Sequence, residues 1–102
     1  MSNVFTAIAE PTRRQLLERL RTRGPLSLSQ LAEPLPISRQ AVTKHLDVLR
    51  RCGLIRIQRS GRLRLHALQP EPLRDVESWL KPYAEEWDRR LMRLKKHLEE
   101  KT

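Results

Sequence analysis

The stretch from Ile37 to Gly53 constrains this chain more than any other, because it holds a start, a stripe, a polar face and a stop. Ser38 is placed to accept a hydrogen bond from an orphaned first-turn N–H. Gly53 can close the helix in the left-handed conformation that a Cβ penalises. Val42, Leu46 and Leu49 recur at helical spacing and must face a core. Arg39, Gln40, Thr43, Lys44 and Asp47 fall on the other side. Guanidinium, amide, hydroxyl and ammonium groups are those that read base edges and hold phosphates. Alone, the stretch reads better as an ordinary amphipathic surface helix with a solvated face. Its surroundings decide the matter.

Before it, Val4–Ala9 is a short apolar helical segment, broken at Glu10-Pro11. A second helix starts at Pro11 or Thr12 and runs to about Arg23, with Leu16, Leu17 and Leu20 inward. Gly24-Pro25 ends it. Ser27 and Gln30 fit a capping box for a two-turn helix with Leu28, Leu31 and Ala32 inward. Pro34-Leu35-Pro36 cuts that helix, and Ile37 is expected to plug the turn before Ser38. A short helix, a tight turn and a longer helix with a polar face follow the order of a helix-turn-helix.

After Gly53 the period changes from helical to alternating. Ile55 to Ile57 and Arg62 to Ala67 read as two strands, with Arg59, Ser60, Gly61 and Arg62 as a basic connecting tip. The expected architecture is mainly α with a small β-hairpin, a winged helix-turn-helix. The tip suits a phosphate or a minor groove, though positive charge at a sheet edge also guards against aggregation.

The chain has 102 residues, the length of one domain, with the winged core at about 11–68. Its net charge of +9 is segregated. Residues 1–68 hold 13 Arg and Lys against 4 Asp and Glu, and residues 69–102 hold 8 of each sign. The excess therefore sits with the helix and wing, which points to a polyanion at one end.

Gln69-Pro70-Glu71-Pro72 is a stiff bend, and a long helix follows. Leu73, Val76, Leu80, Tyr83, Trp87, Leu91, Leu94 and Leu98 step by three or four, and Trp79 widens the stripe. Pro82 predicts a kink near Trp79 or a restart at about Lys81. The aromatic residues Phe5, Trp79, Tyr83 and Trp87 all lie in the terminal segments. Aromatics are enriched where subunits meet, so Phe5, Ile8, Trp79, Tyr83, Trp87, Leu91 and Leu94 are expected at a homodimer interface, in elements about 3–9 and 72–99. The competing reading folds the last helix back over its own core. A membrane-surface role fits less well, since the polar face of that helix is not predominantly basic.

Three blocks together resemble the ArsR family of bacterial winged-helix repressors. They are Glu10-Pro11-Thr12-Arg13-Arg14-Gln15-Leu16-Leu17, then Leu31 through Leu46, then Leu49 with Gly53-Leu54-Ile55. The segment from Leu80 to Leu98 resembles the last helix of one subgroup. The resemblance implies a homodimer joined through first and last helices, binding a pseudo-palindromic operator and repressing transcription. It further implies that Ser38, Arg39, Gln40, Thr43, Lys44 and His45 face the major groove or its phosphates.

Some members of that family sense metals. Residues 27–36 contain no cysteine, so the thiol-rich pattern of such members is missing. His97 and Glu100 match half of a last-helix metal site, but Ala84 and Glu86 stand where the other half belongs. No metal and no cofactor are expected, and no effector is assigned. Cys52, the single cysteine, reads as a small residue before a helix end, with no resolving partner for redox chemistry.

The expected function is therefore a sequence-specific, double-stranded-DNA-binding regulator, a cytoplasmic repressor. The alternatives are a non-specific architectural DNA binder and, less well supported by the charge segregation, a protein-interaction module. No Gly-rich phosphate loop or nucleophile with a base argues for an enzyme. No apolar run approaches the roughly 20 residues needed to span a bilayer, and no secretory pattern opens the chain.

Overall fold

A computed structural model describes residues 3–101. Met1, Ser2 and Thr102, included in the expected domain span, lie outside the described residues. The first two helices are set by short-range capping. The Asn3 side chain accepts from the Thr6 N–H at 2.9 Å and opens α1 (Val4–Ile8). Glu10 does the same for α2 (Pro11–Arg23), accepting from the Arg13 N–H at 2.9 Å. Partial desolvation pushes the Glu10 carboxyl up. The Arg13 N–H and the nearby His45 outweigh it and hold the group below the usual glutamate value.

The capping box is reciprocal at α3 (Leu28–Ala32): Ser27 Oγ accepts from the Gln30 N–H, and Gln30 Oε1 from the Ser27 N–H. Ser38 Oγ then accepts from the Ala41 N–H at 3.1 Å to start α4 (Arg39–Arg51). Gly53, at φ +77°, closes it, with its N–H donating to the Arg50 carbonyl. Ile37 does not plug the turn. It stays exposed, while Leu35 packs against the core in its place.

The sheet has three antiparallel strands, β1 (Leu26–Ser27), β2 (Ile55–Ser60) and β3 (Leu63–Leu68), in the order β1-β3-β2. The sequence showed only the hairpin. β1 is two residues long, too short for a period of two to register, and it pairs Leu26 with His66 and Ser27 with Leu65. The hairpin is also tighter than expected. Arg59 and Ser60 belong to β2, leaving a two-residue turn of Gly61 and Arg62. Gly61 has φ +62° and Arg62 does not have positive φ, which is the pattern of a type II′ turn.

One aliphatic core joins these elements. Leu16, Leu31, Val42, Leu49 and Leu54 are fully buried at its centre, and Val4 and Ala7 bring α1 into it. Among the described residues no aromatic ring contributes. Leu73 and Val76, in the first turns of α5 (Leu73–Glu100), pack against its edge.

Beyond that point α5 leaves the body of the protein. It is unbroken through Pro82, so the helix does not restart at Lys81, and none of its residues is buried. The Cα radius of gyration is 18.6 Å, against about 13 Å for a compact chain of this length. The last helix thus covers its own core only at its root, and projects its apolar stripe outward.

A candidate nucleic-acid interface

The exposed face of α4 is built by the same pattern that buries its other side. With Val42, Leu46 and Leu49 anchored in the core, Ser38, Arg39, Gln40, Thr43 and Lys44 all project into solvent. The arginine at the start of the helix is braced. Its Nη2 donates to Ser29 Oγ on α3 at 2.9 Å, which ties the two helices of the motif together at their polar edge. Asp47, further along, is ion-paired with Arg50 at 3.4 Å.

His45 behaves differently from its expected neighbours. It is half-buried, with Nδ1 3.3 Å from Arg13 Nη1 and 3.8 Å from the Glu10 carboxylate. Arg13 also donates to the carbonyls of Ala7 and Thr6. His45 therefore belongs to a polar knot joining α1, α2 and α4. Its Nδ1 is occupied there, and the ring positions the helix.

The wing stands beside α4, since Thr43 and Asp47 share one cavity wall with Arg64 and His66 of β3. Its register places Arg59 directly opposite Arg64, with Arg62 in the turn just beyond. Like charges facing each other across a ladder are destabilising. Three guanidinium groups held at one tip make sense as a site for an anion that relieves that repulsion. Arg64 is hidden in the sequence, because a four-residue connection at 59–62 conceals the 59–64 pairing that a two-residue turn creates. The alternation Arg62-Leu63-Arg64 was the available signal.

His66 lies behind this tip, paired with Ile57 across the ladder. Burial pushes its pKa down, the Arg64 and Arg50 charges push it further, and Asp47 opposes them. Since the unfolded chain binds this proton more readily, stability is complete above the ordinary histidine value near 6.5 and falls as pH drops below it. His66→Leu is expected to flatten that acid limb in denaturant titrations at a series of pH values. An unchanged limb would assign the loss to other groups.

Known proteins share this fold. The model of a helix-turn-helix domain matches residues 8–58. The transcriptional repressor SdpR of Bacillus subtilis is 34% identical over 80 residues, covering 78% of this chain and 88% of its own. The crystal structure of an ArsR family transcriptional regulator superposes with TM-score 0.69 at 42% identity, covering 82% of this chain and 86% of that one. The chain belongs to the ArsR family. The HTH-type transcriptional regulator Rv2034 of Mycobacterium tuberculosis is similar too, at 42% identity over 69 residues, 68% of this chain and 64% of that protein. Winged helix-turn-helix regulators of the ArsR family bind double-stranded DNA and act in transcription.

The terminal aromatics form a second surface. Phe5 of α1 meets Trp79 edge-on, with ring centroids 6.1 Å apart, and Trp79 lies 5.2 Å from Tyr83. Trp87, Leu91 and Leu94 continue the line along α5, each more than half exposed. Ile8, expected on this surface, is partly buried and packs against the protein's own core. Among the described residues no helix is long and apolar enough to cross a membrane.

Proposed function

We propose that this protein is a cytoplasmic, sequence-specific repressor that binds a pseudo-palindromic operator as a homodimer. The observation carrying the proposal is the pairing of a mixed polar helix face with an arginine-rich wing on one side of an apolar core. Residues 11–68 form the DNA-binding unit, and the elements at 3–9 and 72–99 join two copies. Gln40 and Arg39 read bases in the major groove. Ser38, Thr43 and Lys44 hold the helix in place, and the wing of Arg59, Ser60, Gly61, Arg62 and Arg64 grips phosphates or the adjacent minor groove. His45 holds α4 in position from behind.

The exposed stripe supports the dimer. From Trp79 to Leu98 it runs about 30 Å along the helix, and an unpartnered apolar face of that length is costly in water. Two copies would set their α4 helices in successive major grooves, about 34 Å apart.

Replacing Gln40 with alanine tests base reading, because an amide discriminates among bases and adds little to phosphate binding. The expected result is a loss of about 1–3 kcal/mol on operator with little change on random DNA, at one fixed salt. Equal losses on both would remove Gln40 from the reading set. A specific-to-random ratio near one in the unmodified protein would favour the architectural role.

A further inference from the structure

Between α4 and the wing lies a cavity of about 160 Å³. Leu28, Leu46 and Ile57 line it with apolar surface, and His66, Arg64 and Arg50 line it with polar groups. An enclosed apolar cavity of about 150 Å³ is enough to admit a benzene ring. His66 is unusual in one respect: its Nδ1 atom is buried and has no hydrogen-bond partner among the described residues. A buried polar atom without a partner is unfavourable, and a group supplied from outside would relieve it. The two arginines carry one more positive charge than Asp47 neutralises, so that group is best an anion.

We infer that this cavity is a binding site for a small monocarboxylate with a compact apolar body, about the size of benzoate. The ring lies against Leu28, Leu46 and Ile57, and the carboxylate accepts from His66 Nδ1–H and from Arg64. The site is coupled to DNA by its walls. Thr43 lies on the exposed face of α4, and Arg64 is the cross-strand partner of Arg59 in the wing. A carboxylate on Arg64 competes with phosphate for the same guanidinium, so the bound acid lowers affinity for DNA. This last step rests on the DNA-binding role proposed above; occupancy of the cavity does not.

The test reads the two separately. In the DNA-free protein, millimolar benzoate is expected to shift the His66 ring ¹⁵N resonances, and benzyl alcohol, with the same ring and no charge, is expected not to. On DNA, benzoate is expected to weaken binding by about tenfold. His66→Leu and His66→Gln are expected to keep DNA affinity and lose this response. Ring resonances that ignore benzoate, or that move equally with benzyl alcohol, would overturn the site. So would a benzoate response retained in both variants. Shifted resonances with undiminished DNA affinity would overturn the coupling. A protein that bound no DNA would contradict the proposed function, while the resonances would still decide the cavity.

Discussion

Trp87→Glu is expected to leave a folded monomer that has lost affinity for its operator by on the order of a hundredfold or more. The residue lies mid-stripe on α5, 54% exposed and outside the buried core cluster, so the fold does not need it. In a dimer the same ring is buried against the partner helix, where a carboxylate would be desolvated and unpaired. Separating the copies removes the gain from two linked half-site contacts, which commonly amounts to about 10²–10⁴ in avidity. Sedimentation velocity and an operator titration measure the two effects on one sample. Glu85→Gln, off the stripe of the same helix, serves as the control and is expected to behave as the parent. A variant that stayed dimeric with undiminished affinity would place the interface elsewhere.

Leu49→Ala is expected to act on the fold itself. Leu49 is fully buried on the inner face of α4, within the cluster that holds the helix-turn-helix to α2 and the sheet. Truncating a buried leucine typically costs about 2–5 kcal/mol, from lost transfer free energy and from the cavity left behind. In a domain of this size that corresponds to a fall in Tm of about 10–30 °C. Thermal unfolding followed by circular dichroism measures it. A fall of less than about 5 °C would mean that the core can collapse around the gap, or that α4 is held mainly by other contacts.

How far the sequence could be read depended on the range of the interactions. Caps are local, so Ser27 with Gln30, Ser38 and Gly53 announced their helices and occupy those roles in the structure. The alternation of Leu63 and Leu65 with Arg62 and Arg64 announced the wing. What escaped was set by pairing over distance. β1 exists because Leu26 and Ser27 meet β3 some forty residues later, and two residues carry no periodicity. The Arg59–Arg64 pair depends on a hairpin register that one residue of error at the turn would move.

The same limit explains His45 and α5. Helical spacing puts His45 beside Lys44 and gives no sign of Glu10 and Arg13, which reach it from another helix. The stripe of α5 was plain from its spacing, but its direction was not. The same apolar pattern suits a helix lying on its own core or one projecting from it. The gathering of Phe5, Trp79, Tyr83 and Trp87 in the terminal segments argued for the second, and the structure has none of α5 buried.

A dimer that reads sequence is tested in both respects by one selection. Purified protein is incubated with fragmented DNA from its own genome at near-physiological salt, and the retained fragments are sequenced. The expected result is a palindromic motif with half-sites one helical turn apart, about 10 base pairs centre to centre. Broad recovery with no shared motif would contradict it.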